Sequence, residues 1–244
     1  MALHGKKYSG DLYGRKYGSN EPFQKLGNVT ELKTSSKVKT DTLTSTGKYD
    51  YGQAIETETT PEPTELSLKF NTFDKNGLAR ALMGEAFDIT ANVVTFSDEE
   101  ITAGTGWIKL ANKDIDPASI AITDKTTTQP IDPEKYEINA QLGMIRFKDL
   151  TTLPAGTKAT VTGKTKGTAG FQIHANTLQS LPLELYLDGK DRITGASGTL
   201  EMPHAVLSSD GDMDWFSDKW LDYGLKGTLV KDEGKEPMTF TEYE

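Results

Sequence analysis

The chain predicts a mainly β protein: a β-sandwich or barrel flanked by one short α-helix, with a second β-rich unit inserted into it. Three features carry this expectation. Leu66, Leu68 and Phe70 alternate with Glu65, Ser67 and Lys69, and Leu181, Leu183, Leu185 and Leu187 alternate with Pro182, Glu184, Tyr186 and Asp188, the period of two that marks a half-buried strand. Between these runs lie short β-branched and aromatic segments separated by Pro and Gly turns, the punctuation of a sandwich-like unit. One stretch changes to a helical period: Asp74 is placed as an N-cap, Leu78 and Leu82 are four apart, and Gly84 follows as a stop.

Taken in order, residues 1–27 hold Tyr8, Tyr13, Tyr17 and Phe23 among Gly, Ser and Lys without a clear period. They read as an N-terminal arm, either a mobile tail or a segment that orders on a partner, since tyrosines supply contact area at low entropic cost. Residues 28–88 form the first part of the main domain. Here a strand near 29–37 leads into Lys39–Gly52, a Thr-rich stretch with Tyr49 and Tyr51 that reads as a long hairpin tip or loop, and another strand follows near 53–59. Pro61 and Pro63 break the pattern before the strand–helix unit of Leu66, Leu68, Phe70, Leu78 and Leu82. A helix this short cannot fold alone, so Leu78, Leu82 and Met83 are expected to cover β-structure.

Residues 89–170 form the insertion, Ig-like in texture. Its candidate strands lie around Phe87–Phe96, Trp107–Leu110, Ser119–Ile122, Tyr136–Ile138, Met144–Phe147 and Ala159–Val161. Residues 171–244 complete the main domain. They contribute the leucine run, a hairpin turn at Asp188–Gly189–Lys190, strands at Thr199–Leu207 and Trp220–Val230, and a solvated acidic tail with Asp232, Glu233, Glu236, Glu242 and Glu244.

Composition excludes several classes. The 244 residues carry 27 basic and 36 acidic side chains, a net charge of −9, without a basic cluster of the kind that displaces counterions from DNA. No run of about 18 apolar residues is present, and the first residues lack the apolar core of a secretory signal, so no membrane association is expected. Cysteine is absent, which removes disulfide and thiolate chemistry.

The motifs that carry chemistry fail one by one. His4, His174 and His204 are too scattered for a metal site. Asp210, Asp212 and Asp214 resemble the opening of a calcium loop, but its sixth and twelfth positions hold Trp215 and Leu221 where Gly and Glu are required. Gly104-Thr105-Gly106 has Lys109 in place of the third glycine of a dinucleotide fingerprint. Pairs such as Glu99 and Glu100 arise by chance in an acidic chain, and Asn28-Val29-Thr30 is a sequon without a secretory context. No catalytic constellation, metal or cofactor is expected.

The order of the pieces is itself informative. An arm, a strand, a Thr/Gly-rich loop and ELSLKFNTFDKNGLARALMG are followed late in the chain by LPLELYLDGKDRITGASGTLEMPHAVL, an acidic turn and DKWLDYGLKGTLV. This resembles the major tail tube proteins of long, non-contractile-tailed bacteriophages over about 28–88 and 171–230, roughly half the chain. The intervening segment with IDPEKYEINAQLGMIRF is similar to the peripheral insertions of phage structural proteins.

The resemblance implies a fold related to contractile-tail and type VI secretion tube proteins. It implies hexameric self-assembly into rings that stack as a tube around a tape-measure protein, with tail terminator and distal tail proteins at its ends. DNA would pass through the lumen without specific binding, and the protein would reside in the virion tail after assembly in the bacterial cytoplasm. Lys39, Thr40, Leu43, Lys48, Tyr49 and Tyr51 of the long loop would contact a neighbouring ring, and Tyr8, Tyr13 and Arg15 of the arm would join inter-subunit contacts. An acidic lumen wall would repel phosphate. The alternatives are another phage or secretion-system structural component, or a β-sandwich carbohydrate-binding module using Trp107, Trp215 or Trp220. An enzyme is the least expected class.

Overall fold

The computed structural model describes residues 4–151 and 153–243. Its strands are β1 (Tyr8–Lys16), β2 (Gln24–Lys25), β3 (Val29–Ser35), β4 (Val38–Thr44), β5 (Ala54–Pro61), β6 (Glu65–Phe70), β7 (Glu85–Ile89), β8 (Thr95–Thr102), β9 (Ile108–Lys109), β10 (Ala121–Asp124), β11 (Tyr136–Asn139), β12 (Met144–Phe147), β13 (Lys158–Lys164), β14 (Gly170–His174), β15 (Leu181–Asp191), β16 (Ser197–Asp210), β17 (Tyr223–Leu229) and β18 (Thr239–Tyr243). One α-helix, α1 (Lys75–Ala81), joins β6 to β7. The fold is mainly β and sandwich-like. Among the described residues, those of 1–86 and 173–244 form one compact unit and 87–172 a second. The expected insertion limits, 89 and 170, lie on β7 and β14, the strands in which those boundaries fall.

The first unit is built on an eight-stranded antiparallel sheet, ordered β2-β1-β15-β16-β17-β6-β3, with β18 also paired to β16. One face carries the apolar core: Leu12, Leu66, Leu68, Phe70, Leu185, Met202, Leu207 and Leu225 are fully buried in a single cluster. The other face is polar and mixes signs, with Arg15 opposite Glu184 and Glu31 opposite Lys69. Between Leu183 and Leu185 the register with β16 shifts; a bulge of this kind bends a strand and raises its twist.

Several expectations for this unit are corrected. The arm is a sheet strand: β1 pairs along its whole length with β15, from Tyr8↔Asp191 to Lys16↔Leu183, and Leu12 lies in the core. Its alternation was hidden because glycines stand on either side of Leu12 at period-two positions. A Cβ at Gly10 would lie 2.2 Å from the Asp188 carbonyl oxygen, and one at Gly14 would lie 2.8 Å from the Leu185 and Leu26 side chains. Likewise β15 runs straight through Asp188–Gly189–Lys190, where Gly189 is in register with Gly10 and Gly198. The turn falls later, at Asp191. That carboxylate accepts from the Ile193 and Lys7 backbone N–H groups and the Thr194 hydroxyl, and the Ile193 bond leads the causes that hold its pKa below the ordinary value.

The acidic tail is not simply solvated either. β18 pairs with β16, Glu242 accepts from Lys6 and from the Tyr8 hydroxyl, and Asp232 meets His204 Nδ1 at 2.9 Å while Tyr17 stacks on the imidazole at 3.7 Å. Glu244 lies outside the described residues. Trp220 precedes β17 and is exposed rather than part of it.

The helix is capped as expected, with the Asp74 side chain accepting from the Gly77 N–H. Its buried positions are Gly77, Ala79 and Ala81, however, and Leu78 and Leu82 are only half-buried. Small residues let the helix approach the sheet closely, and the leucines flank that contact rather than form it. The stop differs too. Met83 takes the left-handed conformation at φ 48°, and the Met83 and Gly84 N–H groups close the end on Arg80 and Ala79 carbonyls at 3.1 and 2.9 Å, a Schellman pattern with methionine in the usual glycine place. Gly84 answers a steric demand instead, since a Cβ there would lie 2.2 Å from the His174 carbonyl oxygen. Gly84→Ala is therefore expected to cost roughly 1–3 kcal/mol of first-unit stability, the range for forced overpacking, read by denaturant titration of the two chains.

The second unit packs two three-stranded sheets, β10-β13-β8 and β11-β12-β9, around Ile115, Ile122, Ile145, Leu110, Leu153 and Val161. The run expected as one strand from Phe87 to Phe96 is broken after Ile89, and β8 continues to Thr102. Glu100 of β8 sits between Lys125 and Lys158, whose hydrogen bonds lower its pKa from 4.5 to about 2. A folded-state pKa below the unfolded one contributes stability that is present above 4.5 and lost as pH falls toward about 2. Glu100→Gln is expected to flatten the acid limb of this unit's stability profile in that window, measured by urea unfolding across pH.

Candidate assembly surface

Two segments of the first unit stand out because their own chain does not cover them. The first contains the stretch expected as a hairpin tip or loop, Lys39–Gly52. It is a hairpin: among the described residues β4 and β5 pair only with each other, from Val38↔Pro61 to Thr44↔Ala54. β-branched threonines favour the extended ladder. The turn closes through Ser45, whose N–H donates to the Gln53 carbonyl at 2.8 Å and whose carbonyl accepts from Gly52 at 2.8 Å. Every residue of both strands is exposed. A lone two-stranded hairpin is marginal in water, so this one lacks the cover that usually sustains such an element.

Its two faces differ. Val38, Thr40 and Thr42 stand opposite Pro61, Thr59 and Thr57 on an uncharged face, whereas Lys39, Asp41 and Leu43 stand opposite Thr60, Glu58 and Glu56. Asp41 directly faces Glu58, a like-charge pair that opposes the ladder. At the tip Tyr49 is 92% and Tyr51 79% exposed, and the Lys48 ammonium lies over the Tyr49 ring at 5.2 Å. Thus Lys39, Thr40, Leu43, Lys48, Tyr49 and Tyr51 are brought together on one projecting element.

The arm residues Tyr8, Tyr13 and Arg15 lie on β1, apart from the hairpin. Tyr8 hydrogen-bonds Glu242 and meets Phe240 edge-on at 5.8 Å, Tyr13 is half-buried opposite Tyr186, and Arg15 pairs with Glu184 at 2.7 Å while covering the Phe23 ring at 4.3 Å. Glu242 is held below its ordinary pKa by Lys6 and then Tyr8, and the Tyr8 hydroxyl is pushed up by the same carboxylate. Their partners are in their own chain.

The second segment is a finger, residues 211–222, between β16 and β17. Phe216 is 97% and Trp220 92% exposed, with Trp215 also exposed. The sequence predicts an acidic turn up to Asp218 and a strand from Trp220, with Trp215 and Trp220 as sugar-stacking candidates of the carbohydrate-binding alternative. The signal for one exposed finger is three large aromatics within six positions, interspersed with aspartates. At its foot lies a cavity of about 220 Å³ lined by Leu82, Met83, Met213 and Tyr223, smaller than the roughly 300–1,000 Å³ of small-molecule sites. No cluster of three potential metal ligands occurs among the described residues. In the second unit, the Arg146 guanidinium lies over Trp107 at 4.9 Å and also pairs with Glu137 at 2.6 Å, which occupies one ring face a sugar would use.

Hairpin and finger leave adjacent strands at opposite ends. β6 begins beside Thr228 and ends beside Tyr223; the hairpin precedes its first residue and the finger precedes Tyr223. Among the described residues the sheet also keeps open edges: β3 pairs only with β6, and β2 covers β1 at Tyr13 and Gly14 alone.

No curated protein matches the chain. A family model described as "Protein of unknown function UCP028589" matches residues 7–243, and the chain therefore belongs to that family.

Proposed function

We propose that the protein is a structural subunit that self-assembles into stacked rings forming a phage tail tube, the conduit through which DNA is ejected, with no catalytic role. The observation that carries the reading is the hairpin of β4 and β5, exposed on both faces and carrying its own like-charge pair. Such an element has a physical rationale when another subunit covers it. The open edges at β3 and at β1 add to it, since unpaired edges are normally blunted or paired, and a heterologous contact that closes makes a ring. Hexameric closure, the tape-measure, terminator and distal tail partners, and placement in the virion tail follow from the resemblance. The mixed-sign polar face of the sheet suits a wall that does not grip phosphate, because nonspecific DNA affinity needs clustered cations.

The test is electron microscopy of the purified protein, dilute and concentrated, with sedimentation at each concentration. Rings or hollow stacks are expected. Monomers at all concentrations, together with binding on a glycan array, would favour a carbohydrate-binding module using the exposed Trp215 and Trp220.

A further inference from the structure

Strand β16 is 14 residues long, and its two ends differ in chemistry. At its start the turn from β15 carries Arg192, whose backbone N–H donates to the Lys7 carbonyl at 2.8 Å, with Lys190 two residues earlier. All three cations are exposed, and among the described residues none of the three side chains is in an ion pair. Ile193 beside them is exposed as well. The nearby Asp191 does not neutralise this end by a salt bridge, because its carboxylate is turned inward onto the Lys7 and Ile193 N–H groups and the Thr194 hydroxyl. At its other end β16 runs into the finger, where Asp212, Asp214, Asp218 and Asp222 outnumber Lys219 and alternate along the chain with Trp215, Phe216 and Trp220, all exposed.

The two ends complement each other. Guanidinium and ammonium groups bind aromatic faces through cation–π attraction and carboxylates through charge-assisted hydrogen bonds. They cannot meet within one chain, since a strand of this length holds them on the order of 40 Å apart at about 3.3 Å per residue. The occupant that fits each end is the opposite end of a second copy.

We propose that copies of this chain join head to tail, the basic turn of Lys7, Lys190, Arg192 and Ile193 on one copy docking onto the acidic aromatic finger of the next. This deepens the stacked-ring reading and rests on it: the contact is heterologous, and placed between one ring and the next it repeats along a stack.

The cysteine-free chain allows a direct test. Ile193→Cys and Ser217→Cys are made separately, one copy carrying a mass tag, and mixed under mild oxidation. Heterotypic disulfide dimers are expected in at least tenfold excess over either homotypic dimer. In parallel, Lys190→Glu with Arg192→Glu, or Asp218→Lys with Asp222→Lys, is expected to reduce stacked assemblies at least tenfold while rings persist, and a chain carrying all four changes is expected to restore them. If the wild type forms tubes but gives no heterotypic excess, the head-to-tail contact is overturned and the tube reading stands. Heterotypic dimers without rings or tubes would support the contact and sink the tube. Neither assemblies nor cross-links would overturn both.

Discussion

Replacing residues 38–61 by a short Gly-Ser link is expected to leave the first unit folded and to abolish assembly into tubes. The hairpin projects between Lys37 and Glu62, where the Glu62 N–H already meets the Lys37 carbonyl at 3.0 Å, so a short link closes without strain. Its strands are exposed throughout and Ser45 is the buried residue of its turn, so its removal takes little apolar surface from the core. The Asp41–Glu58 repulsion is relieved as well. The melting temperature should therefore move by no more than a few degrees, the equivalent of about 1 kcal/mol for a unit of this size. Assembly should fall to background by electron microscopy and sedimentation, because uncharged threonines and exposed tyrosines are lost together. Tubes that persist in the truncated chain would remove the hairpin from the contact, and an unfolded chain would place it in the fold instead.

Phe70→Ala is expected to have the largest effect on stability. The ring is fully buried, stacks on Tyr223 at 4.8 Å and 15°, and Tyr223 in turn meets Phe73 at 5.2 Å. Truncation leaves a cavity beside a second aromatic that cannot collapse into it, a change that costs about 3–5 kcal/mol. At roughly 2–4 °C per kcal/mol, the first unit should melt on the order of 10 °C lower. The second unit has its own core around Ile122, Ile145 and Leu110, so its transition should stay in place. Calorimetry reads both at once. A single transition that shifts as a whole would show that the units unfold as one.

Much of the fold was legible because its signals are local. Leu66, Leu68, Phe70 and the leucines of β15 announce one buried face by alternation alone, and Asp74 announces the helix start by its distance from the first helical turn. Other features are set by neighbours remote in the chain. Gly10, Gly14, Gly189 and Gly198 answer close approaches across three strands, so β1 carries almost no apolar alternation of its own and reads as an arm. Met83 takes the left-handed place, and Gly84 beside it answers a close approach to the His174 carbonyl. The hairpin was readable as an unusual segment, but its ladder depends on a register that Thr-rich, two-sided-exposed strands specify weakly.

By itself the sequence determined the mainly β class, the leucine-run strands, the capped helix and the lack of any cysteine chemistry, because burial periodicity, capping and composition act over a few residues. Tertiary structure decided which polar segments pair and which are left uncovered. Pairing partners such as Glu242 with Tyr8, or β16 with β18, lie far apart in the chain, and exposure of Tyr49, Phe216 and Trp220 is a property of the packed surface rather than of any local pattern.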